Sequence, residues 1–127
     1  MIRKNVYSIE EVYNAVKDLI FDKKSTILFD GDEISPSSQR YQLFFTKGMT
    51  CVKCGLTGQF FAKEKHTNKE NRYHLNLYAI DKNGKEVLMT KDHIIPKSKG
   101  GRNILDNYQC MCVNCNCKKG NTLPYSI

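Results

Sequence analysis

The sequence contains no apolar run that approaches the roughly 20 residues needed to cross a bilayer. Its first fifteen residues also lack the apolar core of a secretory signal peptide, so we expect a cytoplasmic protein without a membrane partner. No internal repeat or low-complexity tract is visible. What is left is an ordinary globular composition, with 40% hydrophobic and 26% charged residues, in 127 residues that suit one small domain.

Positive charge is concentrated in one part of the chain. Residues 1–50 hold seven basic and seven acidic residues, whereas residues 51–127 hold thirteen basic and six acidic ones and carry the entire net charge of +7. A basic half is typical of a protein with a polyanionic partner, because bound lysine and arginine release the counterions condensed on phosphate. A merely solvated basic surface is the alternative.

All six cysteines lie in this basic half. Cys51 and Cys54 form one C-x-x-C knuckle, and Cys112 and Cys115 form another, with 57 residues between the two. Paired knuckles without a signal peptide indicate a metal site and not disulfides, and four thiolates suit a structural zinc ion. The long spacing predicts that a whole hairpin lies between the two halves of the site.

The second knuckle lies within C-x-C-x-x-C-x-C, so other pairings are open. Cys110 and Cys117 do not complete a C-x-x-C knuckle and are interpreted as packed or free thiols. His66 and His74 are the alternative ligands.

The local patterns predict both helices and strands. Ser8 and Glu11 form a capping box ahead of apolar residues at helical spacing, which predicts a helix over residues 9–21. A second helix is predicted near residues 114–120. Segments predicted as strands are residues 27–29, residues 41–45 (a strand or a packing segment), a run beginning at Phe60, residues 73–80, and residues 86–89 after the Asn83-Gly84 turn.

A longer motif follows the last of these strands. Asp92-His93 is followed by Gly100-Gly101, then by Asn107, and Asn116 comes directly after the second knuckle. This order resembles the signature of the HNH endonucleases, and the asparagine after the last cysteine is similar to the recombination endonuclease VII arrangement. The strict family letters have histidine there, so Asn116 is a departure that favours Mg²⁺ or Mn²⁺.

The resemblance implies an α+β fold with a small ββα-metal (His-Me finger) core, a four-cysteine zinc site, and an N-terminal helix with short strands before it. We expect residues 1–46 to be an extension of unclear role and residues 47–127 to be the nuclease domain.

The chemistry of phosphodiester hydrolysis is consistent with these residue types. Asp92 and Asn116 offer a carboxylate and an amide oxygen, which a hard cation such as Mg²⁺ or Mn²⁺ prefers. His93 is suited to deprotonating a water molecule as general base. The resemblance implies that Asn107 holds the loop that aims His93, although Asn103 is a competing candidate.

The expected partner is nucleic acid, most simply DNA, nicked on one strand per active site. Five basic residues near the motif are candidate phosphate contacts: Lys97, Lys99, Arg102, Lys118 and Lys119. A catalytically silent zinc module that binds nucleic acid or protein, and an RNA-cleaving enzyme of the same architecture, are the other two hypotheses. The sequence leaves a monomer or a homodimer open.

Overall fold

The computed structural model describes residues 1–67, 69 and 72–123. The helices are α1 (Ile9–Val16), α2 (Gln39–Thr46) and α3 (Val113–Lys119). The strands in chain order are β1 (Ile2–Ser8), β2 (Ile27–Phe29), β3 (Asp32–Ile34), β4 (Phe60–Lys65), β5 (His74–Ile80), β6 (Glu86–His93) and β7 (Tyr108–Cys112). Within this described part, no helix has both the length and the apolar character needed to cross a membrane.

A five-stranded antiparallel sheet organises the molecule. Its spatial order is β1-β4-β5-β6-β7, and β2 and β3 form a separate two-stranded hairpin. β6 and β7 pair directly, with His93 opposite Tyr108 and Met89 opposite Cys112, and α3 follows β7 and packs on both strands. The predicted α+β class is therefore confirmed, and β6, β7 and α3 form the ββα unit.

The first strand was not predicted from the sequence. β1 pairs with β4, with Ile2 opposite Lys65 and Ser8 opposite Phe60, so the N-terminal segment contributes an edge strand to the main sheet. Only Tyr7 of β1 is buried, which explains why the segment carries little apolar alternation.

The first helix begins as predicted and ends early. The hydroxyl of Ser8 accepts from the backbone N–H of Glu11, and the carboxylate of Glu11 accepts from the N–H of Ser8, both at 3.0 Å. Regular helix ends at Val16 instead of residue 21, and a series of turns follows. Ile20 is still buried in those turns. The apolar spacing therefore identified a buried residue there, but it did not indicate a helical backbone.

Residues 41–45 were predicted as a strand or a packing segment, and the second helix shows that the strand alternative is wrong. Residues 41–45 lie in α2, where Tyr41, Leu43 and Phe44 are at most 2% exposed. A short apolar run that is buried on most sides lacks the periodicity that separates helix from strand.

The hydrophobic core lies between the sheet and the first two helices. Its members are buried residues from every part of the described chain, among them Val12, Leu43, Phe61, Leu77 and Met89. Tyr108 and Cys112 also belong to it, so the core extends directly to the strand that precedes α3. The ββα unit is thus attached to the rest of the molecule through apolar contacts as well as through the sheet.

Candidate metal centre and active site

The four cysteines of the two knuckles come together in space. The sulfur atoms of Cys51, Cys54, Cys112 and Cys115 all lie within 4.8 Å of one another, and Sγ of Cys54 is 3.7 Å from Sγ of Cys112. Cys112 caps α3 through its sulfur, which accepts from the N–H of Cys115 at 3.4 Å. Cys51 is held by backbone bonds of its own knuckle, including one from the N–H of Gly55 to its carbonyl at 3.0 Å.

This cluster fits a tetrahedral metal ion. Four sulfurs at the zinc–sulfur bond length lie about 3.8 Å apart in a tetrahedron, close to the separation seen here. Cys51, Cys54, Cys112 and Cys115 would therefore hold a metal such as zinc. The ion would connect the first knuckle to the start of α3, across the 57-residue segment that contains β4, β5 and β6.

The surroundings of Cys51 favour the thiolate. Burial raises the pKa of its thiol, but N–H groups of Cys112, Cys54 and Lys53 that donate to the sulfur outweigh burial and bring the pKa to about 6. Because the thiolate is the form that binds a metal, one ligand is ready at neutral pH. For Cys115 burial has the largest effect and raises the pKa of that thiol to about 12.

The other two cysteines and the alternative histidine ligands lie outside the cluster. Cys110 is buried in β7, and burial raises the pKa of its thiol to about 12, so it is an unreactive core residue. Cys117 is exposed on α3. Of the described residues, the two knuckles alone supply three or more cysteine, histidine or carboxylate ligands to one point.

A second polar centre lies at the end of β6. An open cleft of about 390 Å³ is lined by Asp92 and His93 from β6 and by Asn116 and Lys119 from α3. Lys97 and neighbouring residues of the loop between β6 and β7 form its rim. The strand and the helix thus bring the carboxylate, the imidazole and the amide to one cavity, although 22 residues separate His93 from Asn116 in the sequence.

Asp92 is buried and held by two neighbours. The side-chain amide of Gln109, its partner across β6 and β7, donates to Oδ2 at 3.0 Å. The ammonium of Lys119 lies 3.3 Å from the same oxygen and donates to the backbone carbonyl of His93 at 2.9 Å. Both contacts involve Oδ2, so neither occupies Oδ1.

His93 is oriented by an asparagine of the loop. Its Nε2 lies 2.8 Å from Oδ1 of Asn103, and its ring contacts Tyr108 edge-on at 4.9 Å between centroids. An amide oxygen at this position selects the tautomer with hydrogen on Nε2, which leaves Nδ1 as the basic nitrogen. The carbonyl of Asn103 accepts in turn from the side chain of Gln39, at 3.3 Å, at the start of α2.

Asn107 holds the loop itself. Its side chain accepts from the N–H of Ile95 at 2.9 Å and donates to the carbonyls of Ile95 and Arg102 at 3.1 and 2.9 Å. The glycine pair closes the same loop, since a Cβ on Gly101 would lie 1.7 Å from the carbonyl oxygen of Ile95. The structure therefore places Asn107 on the loop backbone and Asn103 on the imidazole.

Asn116 is oriented by a hydrogen bond to a residue of β6. Its amide nitrogen donates to the hydroxyl of Thr90 at 2.8 Å, and that hydroxyl donates to the carbonyl of Met111 at 2.7 Å. With the nitrogen so engaged, the amide oxygen is the atom that Asn116 offers to a cation. A carboxylate oxygen from Asp92 and an amide oxygen from Asn116 make a donor set that fits Mg²⁺ or Mn²⁺.

Four of the five predicted phosphate contacts are exposed, and one is not. Lys97 and Lys99 lie in a short 3-10 turn, Arg102 follows the glycine pair, and Lys118 lies on the surface in the last turn of α3. Lys119 is only 3% exposed and is bound to Asp92 and His93. Lys119 therefore contacts the site residues from a buried position, whereas the sequence predicted an exposed contact to phosphate.

Sequence reasoning missed the supporting side chains. Gln39, Thr90 and Gln109 each contact a site residue or its partner, yet none belongs to a recognisable motif. Gln109 could have been found from strand pairing alone, because it lies opposite Asp92. Gln39 could not have been found from the sequence, because it is far from the other site residues along the chain and only the tertiary fold brings it close to them.

Comparison with known proteins agrees with the geometry of this region. Residues 81–127 match the family model described as HNH endonuclease. Neither a curated protein nor a solved structure matches the chain. The matched segment begins in the turn before β6 and includes both strands of the cleft, its loop, α3 and the second knuckle. Residues 81–127, which are less than half of the chain, are therefore similar to the HNH endonuclease family.

Proposed function

We propose that this protein is a metal-dependent endonuclease that hydrolyses phosphodiester bonds in DNA and nicks one strand per active site. The observation that supports the proposal most directly is the cleft at the end of β6, lined together by Asp92, His93 and Asn116. Hydrolysis of a phosphodiester needs a base near the phosphorus and positive charge at its oxygens. In the cleft, His93 can act as the base, and Asp92 and Asn116 can hold a cation that supplies the positive charge.

His93 is the general base in this proposal. Asn103 accepts from Nε2–H and fixes the ring, so Nδ1 takes the proton from an attacking water molecule. The edge-on contact with Tyr108 limits rotation of the ring further. Lys119 holds the backbone carbonyl of His93, and Asn107 holds the backbone N–H of Ile95 two residues further on.

Asp92 and Asn116 would hold the catalytic cation. A divalent ion such as Mg²⁺ or Mn²⁺, when bound, stabilises charge on the scissile phosphate and on the departing oxygen. Gln109 and Thr90 keep the two ligand side chains in place before any ion arrives. Lys97 on the rim of the cleft is positioned to contact a neighbouring phosphate.

The four-cysteine cluster is structural in this scheme. Its ligands do not line the cleft, but Cys112 and Cys115 flank the start of α3, which carries Asn116 and Lys119. A bound zinc would therefore position α3 over β6. It would contribute stability on the order of 10 kcal/mol, as structural zinc does in small domains.

The decisive experiment incubates supercoiled plasmid, linear duplex and structured RNA with the protein in Mg²⁺ or Mn²⁺. We expect relaxed circles from the plasmid and loss of that product in His93→Ala with the zinc content unchanged. Cleavage confined to RNA would assign the site to an RNase. Salt-sensitive binding without cleavage in any divalent metal would identify a silent zinc module and overturn the proposal.

A further inference from the structure

A second cleft adjoins the first along β6. It has a volume of about 400 Å³ and is lined by Ser38, Gln39 and Arg40 at the start of α2 and by residues 88–91 of β6. Lys91 lines both clefts and lies next to Asp92 in the strand. The two cavities therefore share Lys91 as a lining residue, and together they make a depression with the site residues in one part and the start of α2 in the other.

Three cationic side chains meet along this depression. Lys91 lines both clefts, Arg40 lines the second cleft and Lys97 lines the first. Among the residues that the structure describes, no carboxylate lies within 4.0 Å of any of these three groups. Gathering like charges without a counter-charge is unfavourable in the free protein.

The bonds that hold Arg40 and Lys91 come from neutral groups. Arg40 donates to the amide oxygen of Asn76 at 2.8 Å, and Lys91 donates to that of Gln39 at 3.1 Å. Lys91 also lies over the ring of Tyr108, with its ammonium 4.3 Å from the centroid. Amide and aromatic partners orient the cations and leave their charge uncompensated, as a site for an external anion requires.

The dimensions of the depression match a polymer of phosphates better than a single anion. Strand residues rise about 3.3 Å each, so Leu88 to Asp92 spans about 13 Å. The phosphates of a DNA strand rise about 3.4 Å per nucleotide along the helix axis and lie further apart than that along the backbone, so this span covers fewer than four nucleotide steps. A strand whose scissile phosphate lies at Asp92 and His93 would thus pass over Lys91 and Arg40.

We propose that this second cleft binds the backbone phosphates that flank the scissile phosphate, with Arg40 and Lys91 as the contacting cations. The inference rests on the proposed nuclease function and extends it to the segment before residue 47. That segment would then take part directly in substrate binding through the start of α2.

The test compares Arg40→Gln, Lys91→Met and the double variant with wild type. Gln at position 40 keeps a neutral amide donor, and Met at position 91 keeps an unbranched side chain near Tyr108. Each single variant should reduce the salt dependence of DNA binding, measured as log Kd against log salt, by about 0.9, and the double variant by about 1.8. Each should also raise KM about tenfold.

Lys82→Ala is the matched control. It removes the same charge from the exposed turn before β6, at the opposite end of that strand from His93, and should leave both the slope and KM at wild-type values. Thermal melting of all variants verifies that they are folded. Slopes of the two cleft variants equal to that of Lys82→Ala would overturn the inference.

A second experiment measures the affinity of wild type, and then of the double variant, for chemically modified DNA. Single phosphates of a DNA substrate are replaced one at a time by neutral methylphosphonates on both sides of the cleavage position. Wild type should lose affinity at one to three positions on one side only, and the double variant should be insensitive at those positions. Uniform sensitivity on both sides would overturn the inference while leaving the nuclease proposal intact. Absence of cleavage by wild type, with salt slopes still lowered in the two cleft variants, would defeat the nuclease proposal and leave Arg40 and Lys91 as contacts to DNA phosphates without a scissile position.

Discussion

Nε2 of His93 lies 2.8 Å from Oδ1 of Asn103, ten residues further along the chain. The side chain of Asn103 is the one group described that hydrogen-bonds to this imidazole, whereas Asn107 bonds only to the loop backbone. The two asparagines therefore have separate tasks. One sets the tautomer of the ring, and the other sets the shape of the loop that carries the first.

Replacement of Asn103 by alanine should lower kcat for plasmid nicking by about 10- to 100-fold, because loss of an orienting partner has effects of that size. The melting temperature should stay within about 2 °C of wild type, since Asn103 is exposed and such positions contribute little. Asn114→Ala, on the exposed side of α3, is the control and should retain full activity. Equal kcat values for the two variants would contradict the role of Asn103.

Asn103→Asp tests the same contact from the other direction. A carboxylate beside Nε2 still selects the same tautomer but favours the protonated ring. The variant should therefore cleave faster than Asn103→Ala, while the acidic limb of its kcat–pH profile moves to higher pH. A merely structural role for Asn103 would leave that limb in place.

Asn107→Ala should behave differently because it removes three hydrogen bonds inside the loop. We expect a loss of about 2 kcal/mol in the free energy of unfolding, or roughly 5–10 °C in melting temperature, together with a lower kcat. Calorimetry of Asn107→Ala beside Asn103→Ala makes the comparison. If Asn107→Ala melted like wild type, the loop bonds would carry no stability.

The cysteines and the HNH signature could be recognised from the sequence because their spacing is local. C-x-x-C, Asp92-His93 and the glycine pair each lie within a few residues, and strand or helix geometry then places neighbouring side chains. β1 could not be recognised, because its partner β4 lies more than 50 residues away and most of its side chains face water. The start of α2, which closes the second cleft, was missed for the same reason.

The strand predicted over residues 41–45 failed for another physical reason. Apolar periodicity reports which side chains are buried, and Tyr41 to Phe44 are all buried in α2. For the same reason the first helix was predicted to be too long, since Ile20 is buried but lies outside the helix. Burial is a tertiary property, so a pattern of apolar residues identifies secondary structure only where one face stays in water.

Zinc removal should separate the structural site from the catalytic one. Cys54→Ser alters an exposed ligand of the cluster and should lower the zinc content from one per chain to near zero. Because the ion would hold α3 in place, we expect the melting temperature to fall by more than about 10 °C and nicking to be lost. The measurements are elemental analysis of the purified protein and thermal melting.

Cys117→Ser is the matched control for that experiment. It makes the same atomic change at an exposed cysteine on α3 that lies outside the cluster, so zinc content, melting temperature and activity should all equal wild type. Retention of a full zinc equivalent by Cys54→Ser would show that another side chain can complete the site.

The buried carboxylate of Glu64 should give the fold a measurable acid sensitivity. Glu64 is 3% exposed and accepts from Arg3 at 2.7 Å, from Asn76 at 2.9 Å and from the hydroxyl of Tyr78 at 2.6 Å. Burial alone would raise its pKa, but these three donors outweigh burial and hold the pKa below its usual value.

A carboxyl whose pKa is depressed in the folded state stabilises the fold above its unfolded pKa, and that contribution is lost as the pH falls through the folded value. Glu64→Gln removes the ionisable group but keeps the shape. At pH 7 the variant should be less stable by about 2 kcal/mol, because three charge-assisted bonds become neutral or unsatisfied. Near pH 3 the difference from wild type should shrink as the wild-type carboxyl takes up its proton.

Chemical denaturation of both proteins at the two pH values measures this difference in stability. Glu10→Gln, on the exposed face of α1, is the control. A stability difference between Glu64→Gln and wild type that is constant from pH 7 to pH 3 would show that the ionised form of Glu64 contributes nothing to the fold.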